Sequence, residues 1–197
     1  MHGPRAQRTI EAILAAAKEV FLQKGFGGTR MDDIADAAHV SRASVYTYFP
    51  TKRDVLFAIG ADSNRHRVAA WKRLAELPGT WTLDDLVSWV KLYFEFLDNY
   101  GAFTLMWGQA AFGDEEMKRT GLRALLKSQK AAGDALDALR GWSLGDPTQQ
   151  GLIAYSMLQG TWYEWKLRGA PFREHDIIEN TAVAFEALLR APRRTSI

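Results

Sequence analysis

The sequence predicts an all-α protein, on three observations. Apolar residues recur at helical spacing along most of the chain, no segment alternates apolar and polar residues as a half-buried strand does, and capping residues, Gly or Pro bound the helical stretches. With 197 residues, 47% hydrophobic and 24% charged, the composition is that of a soluble globular protein able to bury a sizeable core.

Ile10, Ile13, Leu14, Ala17 and Phe21 form one apolar stripe. The first helix is therefore expected over about residues 8–24, ending where Gly25 can take a left-handed cap. Met31, Ile34, Ala35 and Ala38 mark a short second helix over about residues 30–38, with Thr29 placed to cap it and Asp32 and Asp33 favourable to its dipole. After "AHV", Ser41 can cap a third helix reaching about Tyr48, because Pro50 pushes Phe49 out of helical geometry. A fourth is expected from near Lys52 to about Glu76, stopping before Pro78 and Gly79. Five more, over about residues 82–99, 102–112, 115–140, 147–168 and 174–190, bring the expected total to about nine. The tail "APRRTSI" lacks a packing pattern and is expected to be mobile.

All seven tryptophans lie at or after Trp71, which divides an aliphatic and Phe-containing N-terminal part from an aromatic-rich remainder. The expected boundary lies at residue 55, giving domains 1–55 and 56–197.

The absence of cysteine excludes disulfides, thiolate metal sites and a cysteine nucleophile, and fits a reducing cytoplasm. "MHGPRAQRTIEAI" has no apolar signal-peptide core, so export is not expected. The longest uncharged run, Pro147 to Tyr163, is shorter than the roughly 20 apolar residues of a membrane span and includes three glutamines, so no membrane association is expected. Net charge is +2, with a mild basic bias in residues 1–53, where eight Lys/Arg face five Asp/Glu.

Two short helices separated by three or four residues and preceded by a longer one match the three-helix form of a helix-turn-helix unit. In that geometry Val45 points inward beside Val40 and Phe49, leaving Arg42, Ala43, Tyr46 and Thr47 outward. Such a face suits the major groove. Arg42 could donate to a guanine, and Ala43 and the Tyr46 ring could meet thymine methyls. Ser44, Tyr48, Thr29 and Lys52 lie nearer the rim, where hydroxyls and an ammonium group hold phosphates. Lys52 opens a helix, against the dipole, a conflict that an external anion would relieve.

"GFGGTRMDDIADAAHVSRASVYTYFPTKRDVL", residues 25–56, closely resembles the signature of the tetracycline-repressor (TetR) family of bacterial regulators. The match includes Thr29, Ile34-Ala35, Val40-Ser41, Tyr46, an aromatic pair ending in Phe49, and Lys52. The resemblance implies phosphate contacts from Thr29, Tyr46, Tyr48 and Lys52, and base-facing positions at Ser41, Arg42, Ala43, Ser44 and Thr47. Two residues depart from the family pattern. His39 stands where a glycine is usual, so a left-handed conformation there would carry strain, and Tyr48 stands where histidine is frequent.

Beyond the signature, Trp89, Tyr93, Phe96 and Tyr100 share one helix face, while Leu83, Leu86, Val87, Val90, Phe94 and Leu97 share another. A helix apolar on more than one face is enclosed or lines a cavity. Any one ring could simply fill a core. Large rings with polar tips nevertheless suit a pocket, expected to be lined by Trp89, Tyr93, Phe96, Phe103, Trp107, Tyr155, Gln159 and Trp162, with Gln109 and Glu164 as further polar groups. The resemblance implies the same, a small-molecule effector site in the C-terminal helices. Gly151, Ala154 and Thr161 would admit a close helix, and Ile178, Thr181, Ala182, Phe185 and Leu189 form an apolar stripe. Both sets could pack internally, but in the family the last two helices pair with their copies, and one short recognition helix reads too few bases alone. A homodimer is expected, with these residues at its interface.

Nothing in the sequence assembles a nucleophile, a base and an orienting group. The four histidines are scattered, Asp62 and His66 form only one i, i+4 pair, and "GFGG" follows no strand. The expected function is a cytoplasmic, ligand-responsive repressor, not an enzyme and without a cofactor. It would bind a palindromic double-stranded DNA operator and leave it on binding a small apolar or aromatic effector. The alternatives are a helix-turn-helix regulator without such an effector and, less favoured, a helical enzyme.

Overall fold

The computed structural model describes residues 3–190, which form eight α-helices and no strand. These are α1 (Pro4–Gly28), α2 (Met31–Ala37), α3 (Arg42–Tyr48), α4 (Lys52–Ala75), α5 (Leu83–Ala110), α6 (Glu115–Arg140), α7 (Pro147–Trp162) and α8 (Glu174–Leu189). A π-type turn, Tyr163–Leu167, follows α7. The tail expected to be mobile, residues 191–197, lies outside the described residues. None of the described helices is long and apolar enough to cross a membrane.

The all-α expectation holds, with one merger. The helices expected over residues 82–99 and 102–112 are one continuous α5. Gly101 marks no break: a Cβ there would lie 2.5 Å from the Trp162 ring, so this glycine serves a close approach within the bundle.

The helices divide into two compact units, residues 1–63 with 102–121 and residues 64–101 with 122–197. In the first, Ile13, Ala17 and Phe21 of α1 pack with Ile34, Ala35, Val45 and Phe49, and with Val55, Leu56 and Ile59 of α4. Phe103, Met106 and Met117 complete this core. In the second, Trp71, Trp89, Tyr93 and Phe185 form a ring cluster with neighbouring centroids 5.0 to 5.4 Å apart, and the Trp89 indole N–H donates to the Ala70 carbonyl at 2.9 Å. Where α6 meets α7, a Cβ on Gly133 or Gly151 would strike the backbone of Pro147 or Gln129. That crossing depends on two glycines.

Candidate nucleic-acid interface and interior polar cluster

Local chemistry sets α1 to α4 rigidly. Gly25 takes φ +68°, as its expected capping role requires, and the chain makes one further turn to Gly28. Thr29 is buried, and its hydroxyl donates back to the Gly25 carbonyl at 2.8 Å instead of capping α2. The start of α2 is held by Asp33, whose carboxylate accepts from the Arg30 N–H at 2.8 Å and from Lys24 at 2.7 Å. The hydrogen bond from Lys24, then that from Arg30, holds the Asp33 carboxyl below its ordinary value.

The turn between α2 and α3 places His39 at φ +53°, alone among the described non-glycine residues in having a positive φ. Its N–H donates to the Asp36 carbonyl at 3.2 Å and the Val40 N–H to the Ala35 carbonyl at 3.1 Å. This pair of bonds is a Schellman motif with histidine where glycine is favoured. The strain expected from the sequence is therefore present.

Ser41 caps α3, accepting from the Ser44 N–H at 3.1 Å. Val45 is fully buried beneath the helix. Arg42, Ala43, Tyr46 and Thr47 are exposed, as their expected outward orientation requires. The Arg42 Nε lies 3.0 Å from an Asp32 carboxylate oxygen, and its guanidinium carbon 5.5 Å from the Tyr46 ring centroid. The guanidinium remains open to solvent, where water and salt screen such a pair and it contributes little to stability. Ser41, Ser44 and Tyr48 face an open groove of about 640 Å³, together with Arg5 and Thr9 from the start of α1. Hydroxyls and a cation on one rim suit phosphate oxygens.

Lys52 also makes contacts within the chain. Its ammonium donates to the carbonyls of Phe26, Gly27 and Thr29 at 2.8, 3.2 and 2.9 Å. Lysine has three N–H donors, and all are engaged. The conflict with the dipole of α4 is relieved by carbonyls within the chain, and Lys52 anchors the end of α1. Arg53, next to it, pairs with Asp114 and Glu116 at the start of α6.

The residues expected to line an effector pocket fall into three groups. Phe103 and Trp107 belong to the first unit, where Trp107 packs against Phe57 and the glycines at 60 and 121. Trp89 and Trp162 belong to the second and have their indole N–H groups satisfied, by Ala70 and Asp98. Their rings fill the bundle. Tyr93, Phe96 and Tyr155 form the third group, with Gln159 one turn beyond Tyr155 on α7; the buried Tyr93 hydroxyl lies beside the Trp71 indole, and the Gln159 amide nitrogen is buried without a hydrogen-bond partner. Burial raises the Tyr93 phenol, so it remains a neutral donor. Gln109 and Glu164 are exposed, and Glu164 pairs with Arg168.

Arg67, which the sequence reading did not single out, faces this third group from α4. Its guanidinium carbon lies 5.4 Å from the Tyr155 ring centroid and 5.9 Å from that of Phe96. The residue is 7% exposed, and its Nε has no hydrogen-bond partner. Its signal was available: stepping back from the buried Leu74, Trp71 and Ala70 at helical spacing arrives at Arg67 and Ser63, polar residues in an inward stripe.

The residues expected at a dimer interface are mostly enclosed by their own chain. Gly151, Ala154, Ile178, Thr181, Ala182, Phe185 and Leu189 are buried, and Thr161 is half-buried. Their small or apolar character serves packing within the chain, and Thr161 keeps a partly open side. The outward face of α7 and its π turn carries Ile153, Ser156, Gly160 and Tyr163, and that of α8 carries Asn180, Val183, Ala184 and Ala187.

A buried three-helix core beneath a short, exposed, hydrogen-bonding helix is the architecture of a helix-turn-helix DNA-binding domain. Residues 13–59 match the model of "Bacterial regulatory proteins, tetR family". The chain is similar to the HTH-type transcriptional regulator RutR of Escherichia coli, 45% identical over 49 residues, 25% of this chain and 23% of that protein. It is also similar to the HTH-type transcriptional activator FasR of Mycolicibacterium smegmatis, 32% identical over 98 residues, 49% of this chain and 43% of that protein. The similarity thus spans less than half the length of these curated relatives. The fold matches the crystal structure of a TetR-family transcriptional regulator from Streptomyces coelicolor, with TM-score 0.70 and 22% identity over 95% of this chain and 82% of that one. Residues 13–59 thus carry the DNA-binding signature of the tetR family, and the described chain as a whole shares the fold of a TetR-family regulator.

Proposed function

We propose that the protein is a homodimeric, ligand-responsive transcriptional regulator that binds a palindromic DNA operator in the cytoplasm and is released by a small effector. The observation that carries the reading is α3. Val45 and the Ser41 cap fix it, while Arg42, Ala43, Tyr46 and Thr47 stand open to a major groove. In this reading Arg42 exchanges Asp32 for a guanine edge, and the groove beside α1 seats the DNA backbone. Thr29 and Lys52 hold the frame. The match to helix-turn-helix regulators supports the same role.

The second copy would dock on the open faces of α7 and α8. Ile153, Ser156, Gly160 and Tyr163 recur at spacings of three, four and three without a charge, and nothing lies within 4 Å of a Cβ built on Gly160. Uncharged small residues flanked by larger apolar ones allow helices to approach closely. The effector would bind in the second unit beside Tyr93, Phe96, Tyr155 and Gln159, with the Trp89 and Trp162 rings behind them. Binding would favour the DNA-incompetent state by its differential affinity.

Sedimentation at micromolar concentration should give a dimer, and Gly160→Arg a monomer. Mobility-shift titrations should show a steep loss of affinity with salt, because binding to duplex DNA releases counterions. A wild-type monomer, or salt-independent binding, contradicts the proposal.

A further inference from the structure

We infer that the interior site takes an effector with a carboxylate head on an apolar body, and that Arg67 is the counter-ion of that carboxylate. The inference rests on the ligand-responsive reading and specifies its chemistry. Arg67 is 93% buried by its 7% exposure, yet among the described residues no acidic side chain pairs with its guanidinium. A buried charge normally requires a partner, and leaving one unpaired is strongly unfavourable. The two rings that flank it offer only their π faces.

The surrounding donors point to the same ligand. The Gln159 Nε2 and the Arg67 Nε are buried with no partner, and the buried Tyr93 hydroxyl, whose oxygen lies beside the Trp71 indole N–H, keeps its own proton to donate. They come from α5, α7 and α4, and Tyr155 lies one turn before Gln159 on α7. A carboxylate has two oxygens and about four acceptor positions, enough for these N–H and O–H groups together. A neutral amide or ester has fewer acceptor positions and no compensating charge. The aromatic walls, Phe96 and Tyr155 foremost, would receive the apolar body.

Arg67→Met separates this role from a structural one. If the guanidinium served the fold, its loss would destabilise the protein. Here the unliganded variant should melt at a higher temperature than the wild type, because an uncompensated charge has been replaced by an apolar chain of similar length.

The full-length protein would be titrated with alkanoic acids from acetate to palmitate and with phenylalkanoic acids, each beside its primary amide. Melting temperature and release of bound DNA would both be read. At least one acid should bind ten or more times tighter than its amide, and Arg67→Met should abolish that preference while retaining DNA binding; whether alkyl or aryl acids succeed identifies the body. Amides that equal their acids, acids bound unchanged by Arg67→Met, a lower melting temperature for that variant, or no binding by any acid would each overturn the inference. Neutral compounds that bind and release DNA would leave the ligand-responsive reading standing while removing the carboxylate. Acids that bind through Arg67 without affecting DNA would do the reverse.

Discussion

Two arginines show how differently the ends of this protein use charge. Arg42 is exposed and has a carboxylate, Asp32, at 3.0 Å. Arg67 is buried and has no acidic partner among the described residues. Folding energetics alone would favour the opposite, since pairing matters little in water and greatly in an interior. Arg42 can exchange its carboxylate for a nucleic acid at little cost. Arg67 lacks a group that the folded chain does not supply.

The contrast can be broken from the DNA-binding side first. Val45→Asp places a charge where the residue has no exposure and should cost several kcal/mol, abolishing DNA binding together with the three-helix core. Chemical denaturation should report a large loss of stability; a well-folded variant would mean that α3 is not held through Val45.

Lys52→Met removes three hydrogen bonds from a charged donor and should destabilise the first unit by about 2 kcal/mol. Affinity for all DNA sequences should fall with it, because the end of α1 loosens. A variant with unchanged melting temperature and weaker DNA binding would restore the direct phosphate contact first expected of Lys52. Arg42→Ala should leave the melting temperature almost unchanged and cost about 1–3 kcal/mol at one base position, read by competition between operator variants.

Smaller effects sharpen the comparison. His39→Gly relieves a left-handed histidine and should raise stability by up to about 1 kcal/mol in equilibrium unfolding. Asp33 has its folded pKa lowered by Lys24, so its contribution is present above the ordinary carboxylate value of 3.8 and lost as pH falls below it. Asp33→Asn should flatten that acid limb in a pH series of melting temperatures.

The fold was largely legible because periodicity and caps report local structure. The Gly25 stop, the Ser41 cap and the inward Val45 all follow from residue type and spacing. The break expected between residues 99 and 102 is absent, and only the tertiary position of Trp162 shows that Gly101 serves close packing. The anchoring contacts of Lys52 are invisible in the sequence because its partners are backbone carbonyls, which no side-chain pattern reveals. The stripe of Ile178, Thr181, Ala182, Phe185 and Leu189 could pack inward or against a copy. Sequence gives an apolar face but not what covers it. Arg67 was hidden for the converse reason: a lone arginine in a charged helix is usually solvated, and its neighbours Arg65 and His66 are indeed exposed.

The most direct test of the central claim is selection of bound fragments from random duplex DNA, run in parallel for the wild type and Arg42→Ala. A two-fold palindrome whose half-sites lose preference at a single base pair in the variant is the predicted result. No enriched sequence, or the same preferences in both proteins, would contradict base reading by α3.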